Sequence, residues 1–441
     1  MRIAVVGAGI AGLGAAWSLS RRHHVTLYES GTHLGGHART IDVEMGQRTV
    51  PVDTGFIVYN ERNYPNLSAF FDHLGVPTES SDMSFSVASL DGGFEFGGRL
   101  GGLFAQKRNL VRPEMWGVVR GILRFRGEKR RMQRGIVDPD LPLATYLEIE
   151  GYPAAFGSHY LLPLAAAVWS GAVDDVGAMP IGTFLRFLDN HGLVSLDDRP
   201  SWRTVSGGSR VYVERAARSI SDILIGRPVR QVARRADGVV IRDAADEQRV
   251  FDHVVMATHA DAALRILGDA ATWEERDVLS AFRYADNRAL AHRDVSLMPR
   301  RRSVWSSWNS MGVIDAADDR PVGVTYWMNR LQNLDPSYPV FVSLNPILEP
   351  DPRLVLDEVQ YDHPQFDAVS ERAQRRLGDI QGADRIWFSG AYAGHGFHED
   401  GLQAGLTVAA ALGSPAPWAD RITPMSPAAE HAAPRMLRVA S

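Results

Sequence analysis

Short apolar runs recur at three distant places along the chain: Ile3–Val6 with Val25–Tyr28, then Val254–Met256, then Ile386–Phe388. Runs of that length, bounded by turn-forming residues, predict buried strands of a parallel sheet. Between the first two lies a stretch of small residues from Gly7 to Leu19, which predicts a closely packed helix, so Met1 to Glu29 reads as one βαβ unit. Helical periodicity marks Asn109 to Arg126 and Ile181 to Leu193. Residues 223–257 return to short β signals, and the last of them, ending at Ala257, is expected to rejoin the first sheet. The stretches SVWSSW (303–308) and VGVTYWMN (322–329) are expected to form strands. From Arg385 to Leu412 the order is strand, glycine-rich loop and small-residue helix, and the Pro and Ala content beyond Ile422 predicts a flexible tail. No internal repeat is present. The fold class is therefore α/β, with a discontinuous Rossmann-type domain (1–72, 199–262 and 385–415), an interleaved α+β domain (73–198 and 263–384) and a tail (422–441).

The first turn carries chemistry. In G-A-G-I-A-G, Gly7 permits the tight turn after the strand, Gly9 lets the backbone approach a pyrophosphate, and Gly12 lets the helix close on the sheet. The helix N-terminus would then receive the pyrophosphate on free N–H groups where the dipole favours negative charge. Glu29, seventeen positions past Gly12, is placed to accept hydrogen bonds from a ribose diol and to repel a 2′-phosphate. Gly35-Gly36 would bring more backbone to the same ligand. The segment lacks the basic n-region of a secretory signal, and its glycines would break an h-region.

Composition narrows the function classes. The chain of 441 residues is 45% hydrophobic and 22% charged, as in soluble globular proteins, and its net charge of −5 offers no general attraction for nucleic acid. No apolar stretch reaches the ~20 residues of a membrane span. Cysteine is absent, which removes disulfides, thiolate nucleophiles and sulfur-tethered cofactors. A cytoplasmic location fits best. Lysine is confined to Lys107 and Lys129, so arginine supplies nearly all positive charge.

Taken together, Gly7–Gly12, Leu34-Gly-Gly-His37, Val52–Asn60, Asp82–Ser86, Phe187–Gly192, Trp202–Arg210, Ala257–Ala260, Thr325–Leu331 and Gly396–Gly401 resemble the flavin-dependent amine oxidase and phytoene desaturase superfamily. The chain is most similar to a bacterial subgroup of predicted FAD-binding oxidoreductases associated with modified fatty acids. That resemblance implies FAD, with contacts from Gly7, Gly9, Ile10, Ala11, Gly12, Glu29, Ser30, Gly35, Gly36, His37, Arg39, Thr40, Thr54, Gly55, Phe56, Ile57, Val229, Ala257, Thr258, Gly390, Ala391, Gly401 and Leu402. Gly401-Leu402 is expected to open the last helix, whose dipole would face the pyrimidine end of the flavin. Two departures stand out. His37 occupies the place where an Arg follows the two glycines in the superfamily, leaving His37 and Arg39 as alternative partners of the pyrophosphate. Tyr392 stands where family members carry an acid.

The resemblance implies hydride transfer to flavin from an unsaturated or branched fatty acyl chain, with a flavin amine oxidase, a redox-neutral fatty-acid isomerase or a non-catalytic FAD-binding partner as alternatives. Lysine is missing from the late half of the chain, against the water-bridging lysine of many amine oxidases. A flat apolar slot is expected from Phe56, Tyr59, Trp305, Trp308, Tyr326 and Trp327, and acid–base candidates are Tyr59, His259, Tyr326, His398 and Glu399. His395, His398 and Glu399 have no recognised metal-ligand spacing, so no metal is expected. Lys107 to Arg134 holds ten basic residues opposed by Glu114 and Glu128. Within it Met115, Val119, Ile122 and Phe125 recur at near-helical spacing, either as the core face of a surface helix or as a helix resting on the anionic inner face of the cytoplasmic membrane. The partners expected are thus a lipid or fatty acyl substrate and an anionic membrane surface. Oligomeric state is not encoded in any motif.

Overall fold

A computed structural model describes residues 1–98, 100–169, 176–190, 200–312, 322–423 and 426–434. Its centre is a five-stranded sheet in the order Asp222–Leu224, His24–Tyr28, Arg2–Val6, His253–Met256 and Ile386–Phe388, with every neighbouring pair parallel. Ile3, Val5, Val25, Leu27, Val254 and Val255 are fully buried, which is why these strands read as unbroken apolar runs. The chain leaves Arg2–Val6 towards one edge and returns through His253–Met256 on the other side. A crevice therefore opens at the carboxyl ends of these two central strands.

The first helix, Ile10–Leu19, is buried along its whole length. It packs against the closing helix, His398–Ala411, with glycine at each crossing point. A Cβ on Gly401 would come 2.9 Å from Ile10 Cγ2, one on Gly14 2.4 Å from Leu402 Cδ1, and one on Gly405 2.2 Å from Ala11 O. Residues near the start of one helix meet residues near the start of the other, so the two run parallel with their N-termini at the same end.

The interleaved residues build a seven-stranded sheet from Val355–Gln365, Arg283–His292, Phe341–Leu344, Val322–Trp327, Trp308–Gly312, Phe85–Ser89 and Glu95–Gly97, in that order. Helices Pro113–Phe125 and Ile181–Asn190 appear where periodicity placed them. SVWSSW differs from expectation: Arg302–Val304 is a 3-10 turn and the strand begins at Trp308. The turn is closed by Val304 N–H donating to Arg301 O, while Trp305 Nε1 donates to Pro299 O, so the indole folds back on its own loop. Part of the predicted tail is also built into the fold. Ala428–His431 is helical and Ala428 is fully buried, and Ser426 Oγ donates to Asp400 Oδ1 at 2.5 Å. Most of Phe187–Gly192 lies outside the described side chains.

One buried carboxylate ties the two regions together. Asp53 Oδ1 accepts from Thr40 Oγ1 at 2.6 Å, Ser209 N at 2.8 Å and Ser209 Oγ at 2.8 Å, and Oδ2 accepts from Gln332 Nε2 at 2.9 Å. Burial nevertheless pushes its carboxyl up to about 6.

Candidate functional site

The three glycines of the first turn meet different surroundings. Gly7 has φ +102°, and a Cβ there would lie 2.6 Å from Ala257 O. At Gly12 a Cβ would lie 1.8 Å from Gly7 O, whereas at Gly9 it would meet nothing within 4 Å. Space is thus open above Gly9 and closed behind its neighbours. Gly35 N–H donates to Ala8 O at 2.9 Å, and Gly36, at φ +57°, would place a Cβ 3.1 Å from Gly9 Cα. The Gly35-Gly36 loop therefore lies directly on the turn.

Leu13 N–H is the donor to Gly9 O, at 2.8 Å, that starts the first helix. The N–H groups of Ile10, Ala11 and Gly12 precede it and have no intrahelical acceptor. The closing helix begins at His398, three residues earlier than expected, because Asp400 Oδ2 accepts from Phe397 N–H at 2.9 Å and caps the end. Gly401 and Leu402 lie within it and face the first helix. The positive ends of both dipoles meet at the crevice.

Glu29 sits at the end of its strand, with Oε2 accepting from Ala8 N–H at 2.9 Å and Oε1 from Gly31 N–H at 2.7 Å. Ser30 beside it is exposed. Glu29 O accepts from Arg227 N–H at 2.8 Å, which brings Pro228 and the buried Val229 to the same edge. On the other flank, Thr258 and Ala257 line the back of the turn, within 3.4 Å of a Gly7 Cβ and 3.2 Å of a Gly12 Cβ respectively. Gly390 and Ala391 stand beside the closing helix, Ala391 Cβ lying 3.7 Å from a Cβ built on Gly401.

Beyond Gly36 the loop carries an aromatic and imidazole cluster. His37 stacks on Tyr361 at 4.8 Å and lies 5.1 Å from His363 and 6.2 Å from His259, centroid to centroid. Its Nε2 atom is buried with no hydrogen-bond partner. Desolvation, reinforced by the neighbouring imidazoles, holds His37 well below the ordinary histidine value, and burial lowers His363 to about 4. His259 stacks on Tyr284 at 4.4 Å. Arg39 is engaged elsewhere: its guanidinium pairs with Asp357 through both terminal nitrogens. Thr54 Oγ1 and Tyr361 Oη hydrogen-bond at 2.9 Å, and Phe56 N–H donates to His37 O at 2.7 Å. Gly55 lies under the same carbonyl, where a Cβ would come within 2.1 Å of His37 O. Tyr361 and His363 went unremarked in the sequence; their signal was i, i+2 spacing on one face of a strand.

The acid–base candidates divide. His398 stacks on Phe56 at 3.8 Å and its Nε2 lies 3.1 Å from Tyr212 Oη. Burial lowers it to about 3, so it is a neutral ring at physiological pH. Glu399 is occupied by a neighbouring helix, Pro65–Leu74. Its Oε1 accepts from Asn66 N–H at 3.0 Å and Nδ2 at 2.9 Å, and its Oε2 from Leu67 N–H at 2.9 Å, so it caps that helix. Tyr59 is buried against Phe71 at 5.2 Å, in a different apolar cluster from Tyr326. Tyr326, Trp308, Phe85 and Ile57 share one cluster, while Trp305 pairs with Trp327 at 5.4 Å beyond it. The expected aromatic slot thus splits. Among the described residues no group of three His, Asp or Glu side chains suits a metal ion.

In the basic segment Met115, Val118 and Phe125 are buried, so one helix face is core. The other face carries Trp116, 46% exposed, and Leu123, 59% exposed, beside Val111 at 82%. Arg120 is exposed among them. Arg124 and Arg131 are both engaged with Glu150, at 3.2 and 2.8 Å, Arg124 lying over the Tyr152 ring and Arg131 reaching Glu128 at 3.0 Å as well. No described helix is long and apolar enough to cross a membrane.

Residues 5–74 match the profile of the NAD(P)-binding Rossmann-like domain. Solved structures share the fold over nearly the whole chain at low identity. A putative protoporphyrinogen oxidase from an Exiguobacterium species is 16% identical, with 93% of this chain and 98% of that one covered and a TM-score of 0.68. Cyclohexylamine oxidase from Brevibacterium oxydans is also 16% identical, with 93% and 98% covered and a TM-score of 0.67. A CLA-producing fatty acid isomerase from P. acnes is 16% identical, with 92% and 96% covered and a TM-score of 0.65. The chain thus shares its mixed α/β fold, with a Rossmann-like parallel sheet, with these proteins over nearly its whole length.

Proposed function

We propose that this chain is an FAD-dependent oxidoreductase that takes hydride from a fatty acyl chain carried by a lipid. The observation that carries the reading is the meeting of two helix N-termini and the Gly35-Gly36 loop at one crevice, over the open space above Gly9. Those features fit a dinucleotide diphosphate, and the orphaned Nε2 of His37 fits it too. Ile10, Ala11 and Gly12 would hold the diphosphate on their N–H groups, Glu29 the ribose diol and Val229 the adenine edge. Bound FAD supplies the hydride-accepting ring system, with oxygen or a quinone restoring it.

The chain's own residues bind, orient and exclude water. The N–H groups opening the closing helix would favour negative charge on the reduced ring. Ile57, Phe85, Trp308 and Tyr326 form an apolar wall suited to an alkyl chain. Glu399, whose two oxygens cap Pro65–Leu74, is not free to exchange a proton with a substrate. Likeness in fold to a fatty acid isomerase supports an acyl substrate, and so does the absence of lysine from the late half of the chain. The exposed apolar residues and arginines around Trp116 suit an anionic bilayer from which such a chain is drawn.

Purified protein should carry flavin in roughly stoichiometric amount, seen as a yellow absorbance band. Under anaerobic conditions lipid extracts should bleach that band and a panel of amines should leave it. Bleaching by amines alone would overturn the acyl reading, and a colourless protein that takes up no FAD would overturn the whole.

A further inference from the structure

His37 is the first residue after the loop that rests on Gly9, where Gly36 would place a Cβ 3.1 Å from Gly9 Cα. The fixed cation nearest in sequence, Arg39, is committed to Asp357. Next to the turn lies instead a group of three imidazoles from three separate parts of the chain: His37, following Gly36; His259, following Thr258, whose Cγ2 lies 3.4 Å from a Gly7 Cβ; and His363 beside His37. Resting on the FAD reading above, we propose that this cluster is the counter-charge of the diphosphate and that it takes up a proton when the dinucleotide binds.

The surroundings set the direction. From strand Val355–Gln365, His37 meets Tyr361, the backbone of Asp362 and His363. From the turn after His253–Met256 it meets His259, with Asp261 behind it. From the closing helix His398 faces it, while Arg39, two residues on, is held in its pair with Asp357 of strand Val355–Gln365. Asp286 lies against Asp362, and Tyr284 covers His259. Burial and mutual repulsion keep the imidazoles neutral while the crevice holds no anion, and His37 Nε2 is left without a partner. A diphosphate placed beside them favours the charged form and gives Nε2 an acceptor. The bound-state pKa therefore rises above the free-state value. Affinity gained this way is complete at low pH and is lost as pH rises through the bound-state value, by up to about tenfold per unit for one proton.

Apoprotein titrated calorimetrically with FAD near pH 6.5, in two buffers of different ionisation enthalpy, should show uptake of up to one proton per flavin. FAD affinity should weaken from pH 6 to pH 8, while riboflavin, which lacks the diphosphate, should bind without that slope. His37→Arg should keep tight binding and flatten the slope; His363→Gln should reduce proton uptake. FAD binding that is flat with pH and independent of buffer would overturn the cluster proposal and leave the flavin reading standing. No FAD binding at any pH would overturn both.

Discussion

A methyl group at Gly12 would land 1.8 Å from Gly7 O, inside the turn, whereas at Gly9 it would enter open space. The two substitutions should therefore separate folding from ligand binding. Gly12→Ala forces backbone apart and should cost ~1–3 kcal/mol or more, read as a lower Tm. Gly9→Ala should leave the stability of the apoprotein within about 0.5 kcal/mol of wild type while reducing bound flavin. Equal losses of stability in both variants would mean that the space above Gly9 is not a ligand's. Glu399 offers a second test at this scale. Burial pushes its carboxyl up from the ordinary 4.5 to about 7. Between about pH 4.5 and 7 the folded chain holds a proton there that the unfolded chain releases, so the site's contribution to stability falls as pH rises through that window. Melting curves of Glu399→Gln should be flatter with pH across it than those of wild type. Gly7 and Gly12 were legible because each answers a local steric demand, and Gly9 because their spacing marks its place between them. The capping partner of Glu399 was not legible because the start of Pro65–Leu74 lies far away in sequence.

Among elements, helix Pro113–Phe125 was expected to bury Met115, Val119, Ile122 and Phe125; Met115 and Phe125 are buried, Val119 and Ile122 pack against the core only partly buried, and Val118, outside that stripe, is buried instead. Periodicity hid the second stripe, because Trp116 and Leu123 follow each other by seven positions on the outward side. Trp116→Ala combined with Leu123→Asp should lower Tm only modestly, since Leu123 faces solvent and half-exposed Trp116 gives up one hydrogen bond to Leu110 O and its contact with Phe104, and should abolish sedimentation with anionic liposomes. Charge reversal at Arg120 and Arg130 should weaken the same binding in a salt-dependent way. Arg131 is unsuitable for that purpose because its ion pairs with Glu128 and Glu150 hold the segment together. Unchanged liposome binding in the double variant would remove the bilayer from the proposal. The displaced strand near Trp308 shows the same limit on reading elements locally. Alternation of Trp and Ser suits a strand, yet the hydrogen bonds of Val304 N–H and the Trp305 indole close a loop first.

At the scale of the molecule, the sequence showed that dinucleotide signals recur at the start, middle and end, and the parallel sheet assembles from those three stretches. What the sequence did not show is how the interleaved sheet is tied to it, because Asp53, Ser209 and Gln332 meet across long separations and none belongs to a periodic pattern. A chain ending at Asp384 would lack the edge strand Ile386–Phe388 and would expose the helix face that His398–Ala411 covers. It should aggregate or melt non-cooperatively and bind no flavin, as gel filtration and calorimetry would show; a folded, yellow truncated protein would contradict the architecture. The same arrangement governs when the protein becomes competent in a cell. The edge strand and the closing helix follow the Gly7–Gly12 turn by more than 370 residues, so a nascent chain must wait, with that turn exposed, until both have left the ribosome before the proposed nucleotide site is complete.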